Sequence, residues 1–329
     1  VQIWRELAAV PDGFGPSVVT IGNFDGVHRG HASVLTRMCA DARAVDAQAV
    51  AVTFTPHPQQ VHRPDTAPPV ITGDDDRLEL LERTGLDAVL MLTYTLEFAR
   101  QTPDEFVRRY LVDGLRARTV VVGRDVRFGW NNSGDLSTMV ELGATYGFDV
   151  EVIEDVTPAE SADPGSAEDR VADPLRRRWS STWVRELLDA GDVVQAARVL
   201  GRPHRIRGTV VHGDARGRDL GFPTANLGPD ATGLVPADGV YAGWLRRASG
   251  VEEVLPAAIS IGTNPTFDGS ERRVEAYVLD RTDLDLYDQV VVLELVERLR
   301  PTLRFDSIDD LIIRMNDDVA RTREILDAG

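Results

Sequence analysis

From Ser17 to Ile153, short apolar runs alternate with amphipathic stretches, and after Gly201 the alternation stops. That change of pattern limits the folds open to the chain more than any other feature. Ser17–Gly22, Ala49–Phe54, Ala88–Leu92, Thr119–Gly123 and Val150–Ile153 have the length and composition of buried strands. Between them lie helical patterns. Leu35, Met38 and Ala42 recur at helical spacing, and Leu78 and Leu81 follow Thr72 and Asp75, which stand at capping-box spacing. Thr102, Pro103 and Glu105 start a helix carrying Phe106 and Tyr110, and a further helix spans about Leu136–Tyr146. Such alternation predicts an α/β domain, a parallel sheet with helices on both faces. Beyond Gly201, the runs Ile206–His212, Gly239–Arg246, Val254–Ile261, Arg273–Leu279 and Gln289–Glu297 follow one another with no helix between. They predict a small antiparallel β-barrel, closed by a C-terminal helix that Ser307 and Asp310 cap. A chain of 329 residues exceeds one ordinary core, so two domains are expected, 1–186 and 187–329. Thr157–Asp173, rich in Ala, Asp, Glu, Pro and Ser, reads as a flexible surface loop late in the first of them.

Charge and composition exclude several functions. The formal charge of −17 argues against a nucleic-acid partner. Every basic residue is arginine, since the sequence contains no lysine. A P-loop, a lysine Schiff base and a protein-kinase site are therefore all ruled out. The one cysteine, Cys39, falls among the apolar positions of the first helix and reads as core. The charged opening segment VQIWRELAAVPDG lacks the apolar run of a signal peptide, and no stretch reaches the length of a membrane span. The expectation is a cytoplasmic protein with no membrane partner.

The chemistry concentrates in a few segments. Gly22-Asn23-Phe24 and His28-Arg29-Gly30-His31 follow the first strand directly and open the first helix. A helix N-terminus offers unpaired N–H groups and a favourable dipole to a phosphate. Taken alone, two histidines three apart also fit a surface role, a core role or an incomplete zinc pair. Ser180-Ser181-Thr182-Trp183-Val184-Arg185, with Arg178 ahead, reads either as a plain helix N-cap or as a phosphate-binding helix start. Val121–Gly129, containing Asp125 and Phe128, follows the fourth strand at the same sheet edge. In the second half, Gly213–Asn226 is a glycine-rich loop ending in Gly221-Phe222-Pro223-Thr224-Ala225-Asn226.

His28-Arg29-Gly30-His31 resembles the HxGH signature of the nucleotidyltransferase superfamily, and the SSTWVR segment resembles its late serine- and threonine-containing signature. GFPTAN closely resembles the flavokinase signature. With Thr55-Pro56-His57-Pro58 between them in the expected order, the chain resembles, essentially end to end, the bacterial bifunctional riboflavin kinase/FAD synthetase family. The resemblance implies a Rossmann-like nucleotidyltransferase domain followed by a kinase barrel. It implies that Gly22, Asn23, Phe24, His28, His31, Asp125, Arg178, Ser181, Thr182 and Arg185 bind the ATP of adenylyl transfer. Pro56, His57, Pro58 and Phe128 would border the flavin. In the kinase, Gly213, Gly217, Arg218, Gly221, Thr224 and Asn226 would hold ATP, with Thr224 and Asn226 toward Mg²⁺. Glu275, in the segment Arg273–Tyr277, would be the base toward the riboflavin 5′-hydroxyl, because an alcohol nucleophile benefits from a proton acceptor. An anionic phosphate acceptor needs no such base, which agrees with the few candidate bases near His28 and His31. Riboflavin, FMN and FAD are the implied small-molecule substrates and products. Two other functions fit the same motifs: a flavokinase fused to a nucleotidyltransferase with a different phosphorylated acceptor, and a flavin-sensing barrel without turnover.

Overall fold

Strands that are apolar on both faces need cover on both faces, and the first part of the chain supplies it. The computed structural model describes residues 1–153, 177–213, 221–248, 253–263, 272–281 and 283–327. Gly217, Arg218 and the Thr157–Asp173 stretch lie outside them. By packing, the described chain forms two compact units: Val1–Val70 with Asp74–Ser180, and Ile71–Gly73 with Ser181–Gly329.

The first unit runs β1 (Gln2–Trp4), β2 (Ser17–Ile21), α1 (Arg29–Ala44), β3 (Gln48–Thr55), α2 (Pro58–His62), α3 (Asp74–Glu82) and β4 (Ala88–Thr93). It continues with α4 (Pro103–Phe106), a π-helix over Val107–Gly114, β5 (Ala117–Gly123), α5 (Leu136–Tyr146) and β6 (Asp149–Ile153). The six strands form one parallel sheet in the order β1-β4-β3-β2-β5-β6. Alternate residues of each strand enter opposite cores. Val19, Val50, Val52, Leu90, Val120 and Val122 pack with Val107, Tyr110 and Leu111 of the π-helix and Met139 of α5. Val18, Ala49, Ala51, Val89, Met91 and Val121 pack with Leu35, Met38, Cys39 and Ala42 of α1 and with Leu78 and Leu81 of α3. Thr102 and Glu105 form the expected capping box.

The second unit comprises α6 (Ser181–Ala190), α7 (Val193–Leu200), β7 (His204–Val211), β8 (Thr224–Leu227), β9 (Gly239–Arg247), β10 (Val254–Gly262), β11 (Arg273–Val278), β12 (Val290–Arg300) and α8 (Ile308–Asp327). Its strands close into an antiparallel barrel, β10-β11-β8-β7-β12-β9. Ile206, Tyr241, Leu245, Ile259, Ile261, Leu293 and Leu295 are fully buried within it. Thr224–Asn226, read from the sequence as the end of a loop, belong to a strand of this wall, β8, which pairs with both β7 and β11. The last helix packs on β9, β10 and β12. There the Arg300 guanidinium forks onto Asp318, donating Nε to Oδ1 at 3.0 Å and Nη2 to Oδ2 at 2.7 Å.

Both side chains of this pair are about nine-tenths buried. Removing one partner leaves a buried charge uncompensated, which costs about 3–5 kcal/mol. Asp318→Ala is therefore expected to lower the barrel's unfolding free energy by about that amount in urea titrations. His204 gives a second expectation. It is almost fully buried, and burial lowers its pKa to about 4, against a backbone contact from Nε2 to Leu234 O at 2.7 Å. The unfolded chain takes up this proton near pH 6.5 and the folded one does not. The stability associated with neutral His204 is complete above about pH 6.5 and is lost as pH falls toward 4. A urea midpoint falling across that window, with a shallower fall in His204→Gln, is the expected result.

Candidate active site

Strand order in the first sheet reverses at β2. Chain order runs outward through β3 and β4 on one side, then crosses to β5 and β6 on the other. The crevice beyond the carboxyl ends of β2 and β5 is the switch point at which sheets of this kind bind ligands. Two of the expected segments open into it: Gly22–His31 after β2, and Arg124–Phe128 after β5.

The turn after β2 is tightly built. Phe24 and Val27 adopt positive φ, 48° and 38°, although neither is glycine and Val27 is β-branched. Such backbone is strained and persists only where packing imposes it. Here both side chains are buried against α1 and its neighbours. The turn delivers His28 to the N-cap of α1, where its Nδ1 accepts the backbone N–H of His31 at 3.3 Å. That bond places the His28 proton on Nε2. The two imidazoles stack, with centroids 3.7 Å apart and planes 20° from parallel, and Phe24 meets His31 edge-on at 5.4 Å. Burial lowers the His31 pKa to about 4, so its ring is neutral at neutral pH. Its Nδ1 is buried without a hydrogen-bond partner among the described residues. Gly30 lets this turn close: a Cβ there would stand 3.1 Å from the His28 ring and 3.5 Å from Cβ of Trp179. Trp179 is 9 % exposed, with the Arg29 guanidinium 5.8 Å above its ring.

The other expected residues of this unit are distributed as follows. Asp125 pairs with Arg178 at 3.8 Å, joining the end of β5 to the segment ahead of Ser180. His57 is an N-cap as His28 is: its Nδ1 accepts from Gln59 N–H at 3.2 Å, and Gln60 Oε1 accepts from His57 N–H at 3.1 Å. Pro56 is exposed at its side and Pro58 begins α2. Phe54, Tyr94 and Phe98 form a ring cluster next to this turn, with centroids 5.3–5.9 Å apart. Phe128 is 8 % exposed, its ring packed 6.3 Å from that of Phe106 in the core, so it offers little surface to a ligand. Arg77, which no motif pointed to, donates to Asn23 O at 3.1 Å behind the turn. Ser181, Thr182 and Arg185 occupy the first turns of α6 in the second unit.

In the barrel, β11 alternates strictly. Val274, Ala276 and Val278 face the core, and Arg273, Glu275 and Tyr277 face out. β8 sets Ala225 inside with Thr224 and Asn226 on the other side. The register pairs Glu275 with Asn226 and Tyr277 with Thr224, so all four side chains share one outer face. Directly opposed residues of this kind have Cβ atoms about 5 Å apart. The Asn226 amide donates to Thr224 O at 3.2 Å and to Thr224 Oγ1 at 3.3 Å. Phe222 meets Tyr277 edge-on at 5.2 Å. Gly213, ending β7's side of the loop, has no room for a side chain, because a Cβ would lie 2.7 Å from the Asn226 amide. Gly221 stands at φ +86° at the other end. A carboxylate, a hydroxyl and an amide thus share one outer face, with the Gly213 backbone close over the amide. Such a group can accept a proton from an alcohol and offer neutral oxygens to a cation.

The FAD synthetase family profile matches residues 12–163, and the riboflavin kinase profile matches residues 200–326. The chain is 35 % identical over 307 residues to the bifunctional riboflavin kinase/FMN adenylyltransferase of Escherichia coli K12, covering 93 % of this chain and 92 % of that one. It is 36 % identical over 315 residues to the protein of the same description from Pseudomonas fluorescens, covering 94 % and 92 %. The crystal structure described as macrolide-efflux protein from Streptococcus pneumoniae superposes with a TM-score of 0.78 at 28 % identity, covering 98 % of both chains. Among the described residues of this chain, no helix is long and apolar enough to cross a membrane. Both profiles, in this order, and relatives matched over nine-tenths of their length make the chain a member of the bifunctional riboflavin kinase/FMN adenylyltransferase family.

Proposed function

We propose that the chain converts riboflavin to FAD in two steps carried out at two separate sites. The barrel phosphorylates the riboflavin 5′-hydroxyl with ATP, giving FMN and ADP. The parallel-sheet unit transfers AMP from a second ATP to the FMN phosphate, giving FAD and pyrophosphate. The functional domains are taken as 1–186 and 187–329.

The observation that carries this reading is the chemical contrast between the sites. The outer face of β8 and β11 sets a carboxylate, Glu275, opposite Asn226. An alcohol nucleophile must lose a proton as it attacks the γ-phosphorus, and Glu275 is the residue assigned to take it. The turn of His28 and His31 is built differently. Its His31 ring is neutral and His28 caps the helix N-terminus beside it, and the FMN phosphate arrives already ionised, so it needs donors rather than a base. As the FMN oxygen bonds to the α-phosphorus, the bond to the bridging oxygen breaks and its electron pair leaves on pyrophosphate. Charge growing on that leaving group favours the protonated form of a nearby imidazole, opposing the burial that holds His31 neutral. The unsatisfied Nδ1 of His31 fits a site completed by a polar ligand.

Gly22, Asn23 and Phe24 would shape the nucleotide side of this crevice, with Asp125 and Arg178 closing it. Pro56, His57 and Pro58 would border the flavin. In the kinase, Gly213 and Gly221 would bring backbone close to ATP. Mg²⁺ suits the oxygens of Thr224 and Asn226. Both are neutral and hard, and the Asn226 amide nitrogen is already turned to Thr224, which leaves Oδ1 as the available end. When bound, that ion neutralises charge on the nucleotide phosphates.

Incubating the purified protein with riboflavin, ATP and Mg²⁺ and separating flavins by chromatography is expected to show FMN, then FAD. FMN without FAD supports a different acceptor for the first unit, and absence of both supports a sensor. His31→Ala is expected to lower FAD formation by about two to three orders of magnitude while sparing FMN. Glu275→Ala is expected to do the reverse, with FAD still made from supplied FMN. Loss of both activities in a folded His31→Ala protein would contradict the two-site division.

A further inference from the structure

Arg77 lies on α3, outside every segment that the motifs single out, and its side chain is 3 % exposed. Burying a guanidinium is costly unless its donors are matched. Its Nη donors are matched by three different pieces of chain, and Nε is buried without a hydrogen-bond partner among the described residues. Nη1 donates to Asn23 O at 3.1 Å, and Nη2 donates to Phe54 O at 2.8 Å and to Asp74 Oδ1 at 2.7 Å. The other oxygen of Asp74 accepts from Thr55 Oγ1 at 2.5 Å, and Thr53 Oγ1 donates to Asn23 O at 3.2 Å. Asp25, 3 % exposed, adds attraction from the same turn.

The two carbonyls decide what this network does. Asn23 follows β2 and opens the turn that presents His28 and His31. Phe54 is the penultimate residue of β3, just ahead of the turn that presents His57. The paired register of β2 and β3 ends at Ile21 and Val52, with a last backbone bond from Gly22 N–H to Val52 O at 3.0 Å. Past that point the Thr53 hydroxyl reaches Asn23 O, and the guanidinium bonds both the Asn23 and the Phe54 carbonyls. A planar fork with fixed donor directions can hold two carbonyls and a carboxylate at set spacings, which a compact ammonium cannot.

We infer that Arg77, oriented by Asp74, is a positioning residue for adenylyl transfer, fixing the distance between the nucleotide-side turn and the flavin-side turn. The inference rests on the assignment of AMP transfer to this unit. Each turn keeps its own ligand contacts when Arg77 is lost, so binding survives while the reacting atoms are misaligned. Misplacement of about 1 Å costs on the order of a hundredfold in rate.

The test is steady-state kinetics of FAD formation from FMN and ATP in full-length Arg77→Gln and Arg77→Lys. Riboflavin phosphorylation by the same preparations serves as the internal control, and circular dichroism verifies folding. For Arg77→Gln, kcat for FAD formation is expected to fall about a hundredfold, with both KM values within about threefold and the kinase rate unchanged. Arg77→Lys, charged but without the fork, is expected to recover less than about a tenth of the wild-type kcat. A loss of stability alone lowers the unfolding midpoint and leaves kcat per folded molecule unchanged. A folded Arg77→Gln with kcat within about threefold of wild type overturns the inference, as does a raised KM at unchanged kcat. If Arg77→Gln does not fold, Asp74→Asn reads the same network, and a folded Asp74→Asn with wild-type kcat overturns it equally. A wild-type protein that makes no FAD refutes the underlying assignment instead, which keeps the two failures distinct.

Discussion

In the parallel sheet, chain order runs one way from β2 through β3 and the other way from β5, and the reversal leaves a crevice between the carboxyl ends of β2 and β5. Much of the first unit can be traced to it. The turn after β2 must descend into the start of α1 within a few residues, and it does so through positive-φ backbone at Phe24, Gly26 and Val27. That backbone persists because Phe24 and Val27 bury their side chains beside α1. The same packing leaves His28 as the helix cap and His31 stacked against it, so the strain of the turn and the placement of the imidazoles have one origin.

The barrel reaches its own geometry by another route. In a closed antiparallel wall, strand register determines which side chains meet, because residues alternate between core and exterior. The pairing of β8 with β11 puts Ala225 and Ala276 inside, and with the same register it puts Asn226 beside Glu275 outside. A slip of one residue would bury the carboxylate and expose the alanines, so the stability of the wall and the composition of the site are specified together. Gly213 completes the arrangement by leaving room over the Asn226 amide.

Much of this was legible in the sequence. The long periodic segments show five of the six strands of the parallel sheet, the capping residues Thr102 and Ser307, and the buried position of Cys39. The two segments proposed to handle phosphate stand out because glycine, histidine and hydroxyl residues cluster there. Other features left weaker traces. β1 has three residues and is stabilised by pairing with β4, too short a run for periodicity to register. β8 has four residues, including Asn226, and becomes a strand through tertiary pairing on both sides, which overrides its loop-like composition. Phe128 looked available on a loop, but it fills the core beside Phe106, because the turn folds back through the Phe128–Gly134 bridge. Arg77 had no local signal at all: its partners lie 3, 23 and 54 residues away, and only the fold brings them together.

The central claim is that one chain holds two phosphoryl-group chemistries at two unrelated sites, one transferring the γ-phosphate of ATP and one its α-phosphate. Parallel reactions with ATP labelled at the γ- or the α-phosphorus, starting from riboflavin, test this most directly. The account predicts γ-label in FMN and in the FMN half of FAD, α-label only in the AMP half of FAD, and unlabelled pyrophosphate from the α-labelled reaction. Appearance of α-label in FMN, or of γ-label only in inorganic phosphate, would contradict it.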